Sequence, residues 1–247
     1  MGIVTFNGVS SKDFGIQVET PPGYQMPKKD YDKYHVPGKN GDVIIYKNSY
    51  QNVTRQYKIA IGDLDRNFVD LANSVSEWLN SSYGYARLED SYEPDYYRLA
   101  IYEDANEITN VLQHAGRATI KFNCKPQRFL KSGDKSISIK KRSVATTLKN
   151  PTKFTSLPII TIKSTGDGPG KVTINDQVIK VTPSTESEGS FTIVVDSSVQ
   201  DCYYGSTNMN SYITLSNGFP KLNAGNNSIS YDSAIMSVEV IPKWWTI

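Results

Sequence analysis

Leu64-Asp65-Arg66-Asn67-Phe68-Val69-Asp70-Leu71-Ala72-Asn73-Ser74-Val75-Ser76-Glu77-Trp78-Leu79 is the one long stretch of the chain with helical periodicity. Leu64, Phe68, Leu71, Ala72, Val75, Trp78 and Leu79 recur at intervals of three and four and so share a face. Arg66, Asn67, Asp70, Asn73, Ser74 and Glu77 fall opposite. Asp63 is placed to cap the start, and Asp65 adds negative charge at the positive end of the helix dipole. Asn80, Ser81, Ser82 and Gly84 mark the end. A single helix with a wide apolar face requires a sheet to lie against.

The flanking sequence supplies strands. Ile3 to Phe6 is closed by the tight-turn pair Asn7-Gly8, and Phe14 to Val18 is a second apolar run. Pro21, Pro22, Gly23 and Pro27 interrupt regular structure. Lys28, Lys29, Asp30, Asp32 and Lys33 read as a mixed-charge loop or a solvated hairpin edge, followed by the turn Val36-Pro37-Gly38-Lys39-Asn40-Gly41-Asp42. Val43 to Tyr46 and Val53 to Ile61 are strands, with Tyr57, Ile59 and Ile61 on one face. After the helix come Tyr85 to Leu88, Tyr96 to Tyr102 and Gly116 to Lys125. In the last of these Ala118, Ile120, Phe122 and Cys124 point one way. The sum is an α+β unit, one helix on a mostly antiparallel sheet.

Phe129 to Pro158 is basic, with Lys131, Lys135, Lys140, Lys141, Arg142, Lys149 and Lys153, and reads as a solvated strand pair and connector. The domain boundary is placed within it, giving residues 1–146 and 147–247. Beyond Pro158 the candidate strands are Ile159 to Ile162, Val172 to Ile174, Val178 to Val181, Phe191 to Asp196, Tyr212 to Leu215, Asn227 to Tyr231 and Met236 to Ile241. Spacings near ten residues, with turns such as Asn175-Asp176-Gln177, predict a β-sandwich. The fold class is therefore mainly β with one helix.

Composition excludes several functions. The 247 residues carry a net charge of only +2, which makes no electrostatic demand for nucleic acid. No apolar run approaches the roughly eighteen residues of a membrane span, and Met1 to Phe6 lack the features of a secretory signal. A soluble product made in a reducing cytoplasm is expected. Cys124, in an inward phase of its strand, reads as a buried free thiol, and Cys124 and Cys202, far apart in sequence, support no disulfide framework. His35 and His114 leave no metal cluster and no nucleophile-base pair, so no cofactor, no metal and no catalytic residue is assigned. The carboxylates Glu89, Asp90, Glu93, Asp95, Glu103, Asp104 and Glu107 could serve a glycosidase only across a cleft with one raised pKa. They read as polar loops instead. Gly166-Asp167-Gly168-Pro169-Gly170 precedes a strand, so it is a loop and not a phosphate cradle.

Several stretches together resemble the distal tail protein family of siphophages and related prophage tail components. They are Phe6-Asn7-Gly8-Val9 with Asp13-Phe14-Gly15-Ile16, Val36 to Gly41, the helix ending Trp78-Leu79, Leu88-Glu89-Asp90, Tyr97-Arg98-Leu99 and Phe122-Asn123-Cys124-Lys125-Pro126. In the second half they are Asn150-Pro151, Leu157-Pro158-Ile159-Ile160, Phe219-Pro220-Lys221-Leu222 and Ala224-Gly225-Asn226-Asn227, where Ala224 stands in place of a more usual proline. Order and spacing carry the resemblance, which spans nearly the whole chain. It implies a non-enzymatic structural protein of the virion tail tip. Such a protein forms a homohexameric ring that joins the tail tube protein to tail-associated, fibre or receptor-binding proteins. The N-terminal domain would make the ring, and a galectin-like C-terminal sandwich would face outward.

A ring needs a head-to-tail interface that closes by rotation. Tyr24, Lys28, Lys29, Asp30, Asp32, Tyr46 and Tyr50, on the loop from Tyr24 to Gly41 and the hairpin from Tyr46 to Val53, are the candidates. The competing reading is a carbohydrate-binding module, with Tyr203, Tyr204, Tyr212, Trp244 and Trp245 as a sugar-stacking platform.

Overall fold

The computed structural model describes all residues except 1, 64, 104–108, 113–114, 141–142 and 184–188, together with the side chains of 109–112. Leu64, Asp104, Glu107, His114, Lys141 and Arg142, named above, lie outside the described residues. The chain is mainly β with one α-helix among the described residues, and it divides into two compact units, Met1–Arg128 with Ile247 and Phe129–Thr246.

The first unit holds β1 (Val4–Phe6), β2 (Val9–Ser10), β3 (Ile16–Val18), β4 (Lys29–His35), β5 (Asp42–Tyr50), β6 (Val53–Gly62), α1 (Phe68–Leu79), β7 (Ala86–Asp90), β8 (Tyr96–Tyr102), β9 (Thr109–Leu112) and β10 (Ala115–Cys124). Its main sheet runs β2-β1-β7-β8-β10-β6-β3. The spine is the antiparallel ladder of β6 on β10, from Ala115 opposite Gly62 to Cys124 opposite Val53. Strict alternation buries Val53, Tyr57, Ile59 and Ile61 from one strand and Ile120, Phe122 and Cys124 from the other.

Helix α1 covers that apolar face with Leu71, Val75, Trp78 and Leu79. Trp78 stacks on Phe14 at 5.2 Å, and its indole N–H donates to the Phe6 carbonyl at 3.2 Å. The helix starts later than the spacing predicts. Asn67 is the cap, its side-chain oxygen accepting from the Asp70 amide at 3.0 Å. Asp63 is used otherwise, accepting from the Asp65 amide and from Arg66 Nε.

β4 and β5 pair with each other in a separate two-stranded sheet. The mixed-charge stretch after Lys28 is thus a strand, and its turn is made by Gly38 and Gly41 at φ +79° and +80°. The register jumps between Lys29 and Tyr31, with Asn48 opposite at φ +56°.

In the second unit, two sheets share one core, the arrangement of a β-sandwich. One contains Ile137–Ile139, Ile235–Ile241, Ile159–Ser164, Phe191–Asp196, Asp201–Tyr204 and Thr207–Asn208 in spatial order. The other contains Thr146–Asn150, Gly225–Tyr231, Gly170–Ile174, Gln177–Val181 and Ile213–Leu215. Ile160, Ile162, Ile193, Val195, Val238 and Val240 meet Val172, Ile174, Ile179, Val181 and Ile229 in the middle. This unit begins at Phe129, ahead of the boundary drawn at 146/147. The reason is that Ile137 and Ile139 pair with Val240 and Val238 and enter this core.

Two asparagines pin the loops of the sandwich. Asn227 is fully buried. It donates to the Asn223 and Gly225 carbonyls and accepts from Asn175 Nδ2 and the Asn223 amide. Asn150 donates to the Phe154 carbonyl and accepts from the Thr152 amide and hydroxyl.

Replacing Asn227 by Ala strands buried donors and acceptors, each worth about 1–3 kcal/mol. Urea unfolding should show a loss of that size or more. Asn67→Ala should cost only about 1 kcal/mol, the usual worth of a helix cap.

Candidate functional site

Two features of the first unit stand out, a charge network inside it and an unclad hairpin on it. The network begins with Arg55, which occupies an inward position of β6 in phase with Tyr57, Ile59 and Ile61. An arginine there is 5% exposed and must be paired. Its Nη2 lies 2.9 Å from Asp90 Oδ2 and 3.3 Å from Glu93 Oε2. The Tyr57 hydroxyl donates to the same Asp90 oxygen at 2.7 Å. The other Asp90 oxygen accepts the amides of Tyr92 and Glu93, both at 2.9 Å. Glu93 in turn meets Arg98 at 3.5 Å and Arg128 at 2.7 Å.

Burial alone would raise the pKa of Asp90, but the hydrogen bonds from Tyr57 and Arg55 outweigh it and hold the carboxyl below its usual value. Burial, then the charge of Asp90, pushes Tyr57 well above the ordinary phenol value, so it stays a donor. A glycosidase acid needs the opposite shift to that of Asp90. Asp90 and Glu93 lie within ion-pair distance of arginines and serve as their counter-ions.

The network reaches the segment that leads into β4. Arg55 Nη1 donates to the Gly23 carbonyl at 3.2 Å, and the Arg128 guanidinium lies 4.9 Å from the centroid of the Tyr24 ring. Gln25 Oε1 accepts from the Thr54 amide at 2.7 Å, and the Lys28 carbonyl accepts from the Gln51 amide at 2.8 Å.

Beyond Lys28 the hairpin is wet on both faces. Tyr34, Ile45 and Tyr46 are 52%, 53% and 56% exposed, and Val36 and Ile44 are also exposed. Tyr31 meets Tyr46 edge-on at 5.8 Å, with the ammonium groups of Lys28 and Lys33 over Tyr31 and that of Lys29 over Tyr46. Lys47 pairs with Asp32 at 2.9 Å. An open cleft of about 420 Å³ is lined by Lys29, Asp30, Tyr46, Asn48, Ser49 and Tyr50. The seven residues named as interface candidates therefore all lie on this hairpin or its root.

The five aromatic residues considered for sugar stacking differ in burial and in partners. Trp244 is buried against the turn Lys131–Asp134, where the Trp244 carbonyl accepts from the Leu130 amide and Lys243 pairs with Asp134. Trp245 stacks on Phe154 at 4.5 Å and donates to the Thr155 carbonyl. Tyr212 packs on Phe191. Tyr204 is the exposed member, next to the half-buried Tyr203 on Asp201–Tyr204. Both cysteines are free and buried, and burial pushes each thiol up to about 11. His35 is exposed, 3.7 Å from Asp42 on the hairpin. Among the described residues no group of His, Cys, Asp and Glu could hold a metal ion, and no helix is long and apolar enough to cross a membrane.

No protein-family model matches the chain, and no curated protein matches it in sequence. Solved structures do. The crystal structure of the SPP1 Dit protein (gp 19.1), described as a paradigm of hub adsorption apparatus in phages infecting Gram-positive bacteria, aligns with a TM-score of 0.71. The alignment covers 97% of each chain at 14% identity. The chain has the fold of a phage hub protein. A chain of the phage P2 baseplate, in its activated conformation with Ca, aligns over 97% of each chain with a TM-score of 0.52 and 9% identity.

Arg55→Met leaves Asp90 and Glu93 short of a buried partner and should cost about 3–5 kcal/mol in denaturant unfolding. Asp90 ionises more readily in the folded chain than in the unfolded one. Its contribution is therefore complete above the ordinary value of 3.8 and is lost as pH falls through the lower folded value. Stability measured from pH 6 down to pH 2 should fall in that acid window, and Asp90→Asn should flatten the fall.

Proposed function

We propose that this chain is a structural protein of a phage tail tip, a baseplate hub carried in the virion and made in the host cytoplasm. Six copies form a ring that joins the tail tube protein to the tail-associated, fibre or receptor-binding proteins of the adsorption apparatus. The first unit makes the ring. The second, a galectin-like sandwich, faces the adsorption proteins. The protein is not an enzyme and takes no cofactor.

One observation carries this reading. A single hub chain matches both units together, over 97% of its length and of this chain's. The match is at the level of fold, and the exposed hairpin supplies what fold alone does not. Isolated two-stranded hairpins are marginal in water, and this one leaves Tyr34, Ile44, Ile45 and Tyr46 in solvent. A neighbouring subunit would cover them. Lysines and aspartates of both signs along the hairpin suit recognition of a second copy by a head-to-tail contact.

Light scattering after size exclusion tests the assembly. A particle about six times the 27.6 kDa chain, persisting on dilution, is expected for a closed ring. Lys28→Glu with Lys29→Glu and Tyr24→Ala should lower that mass. An unchanged mass in this triple variant would remove the hairpin root from the interface.

A further inference from the structure

The hairpin makes its backbone ladder with itself, so its direction depends on its root. One side of that root is β6, rigid in the main sheet. The other is the segment from Pro21 to Lys28, which contains Pro21, Pro22 and Pro27 and forms no strand. A proline has no amide to donate, so this segment cannot extend the β4–β5 ladder by backbone bonds alone.

Bonds at three points, to Gln51, Thr54 and Arg55, replace the ladder. Lys28 is tied to Gln51 by its carbonyl, Gln25 to Thr54 by its side chain, and Gly23 to Arg55 by the guanidinium. The partner numbers rise as the root numbers fall, so the root runs antiparallel to the start of β6. The innermost tie is the only one of the three with a buried charge behind it, fixed by Asp90, Glu93 and Tyr57. Arg128, tied to the same Glu93, holds the Tyr24 ring beside it.

We propose that Arg55, clamped between Asp90 and Glu93, fixes the direction in which the β4–β5 hairpin leaves the main sheet. Arg55 is a positioning residue for the arm and touches no residue of the hairpin strands. The planar guanidinium is suited to this, since one group directs separate N–H donors at Gly23 and at the carboxylates in a set geometry. The use of a fixed arm in closing a ring rests on the reading above. The fixing itself does not.

Pulsed electron spin resonance on the full chain tests it. Spin labels are placed at Lys39→Cys in the hairpin turn and Glu77→Cys on the exposed side of α1. Both native cysteines are buried, so the introduced thiols take the label. Labelled protein is diluted with unlabelled protein, so that distances within one chain are read whatever the assembly. A single narrow distance distribution is expected for the parent. Arg55→Lys keeps a buried positive charge, but one ammonium cannot span Gly23 and both carboxylates, and the distribution should broaden. Tyr24→Ala with Gln25→Ala, which leaves the buried charges intact, should broaden it as well. Circular dichroism of α1 confirms that each variant is folded.

A broad distribution in the parent would overturn the proposal. So would an Arg55→Lys distribution as narrow as the parent's, whether or not the Tyr24/Gln25 variant broadened. The ring reading is tested apart from this by mass. A monomer with a narrow distribution would sink the ring and leave the clamp standing.

Discussion

The guanidinium of Arg55 has to be neutralised where it lies, and much of the first unit is arranged around that requirement. An unpaired charge at 5% exposure would cost several kcal/mol. Asp90 at the end of β7 and Glu93 in the turn that follows supply the counter-charge, and Tyr57 and two backbone amides complete the carboxylate shell. The β7–β8 turn, the start of β6 and the loop before β4 are therefore tied at one point. A hydrophobic residue at position 55 would fit the alternation of β6 equally well. What it could not do is reach out of the core to the Gly23 carbonyl.

Reading the sequence went furthest where a period was long and clean. The face of α1 and the alternation of β10 follow from spacing alone, since burial in those elements obeys 3.6 and 2 residues per repeat. The helix start was harder, because Asp63 and Asn67 are both good caps and only tertiary geometry chooses between them. Arg55 was visible in phase with Tyr57, Ile59 and Ile61, yet pattern reading counts a charged residue as solvent-facing. Its inward position could have been the clue to a buried pair. The carboxylates that answer it lie 35 and 38 positions further on, beyond any local rule.

The second unit shows the opposite error. The basic composition after Phe129 reads as a solvated strand pair and connector, but one of its strands places Ile139 in the core and Ile137 against it, while the polar Ser138 between them faces out. Trp244, one of the residues considered for a stacking platform, is buried. Gly133 packs directly against its backbone. A Cβ there would lie 2.4 Å from the Trp244 amide nitrogen, so only glycine lets the turn close on the Trp244 backbone. The asparagines at 150 and 227 look like loop residues, and they are, but their bonds make the loops part of the core.

The hairpin also bears on how the chain behaves in water on its own. A two-stranded ribbon with Ile44, Ile45 and Tyr46 in water and two unpaired outer edges is a template on which further strands can add without limit. Lys28, Lys29, Lys33 and Lys47 stand along it among Asp30, Asp32 and Asp42, and this row of charges disfavours indiscriminate edge-to-edge addition. The same lysines lie over Tyr31 and Tyr46 or pair with Asp32, so the apolar surface is partly masked by its own charges. Charges placed in this way oppose edge-to-edge aggregation of a chain that leaves such a ribbon in solvent.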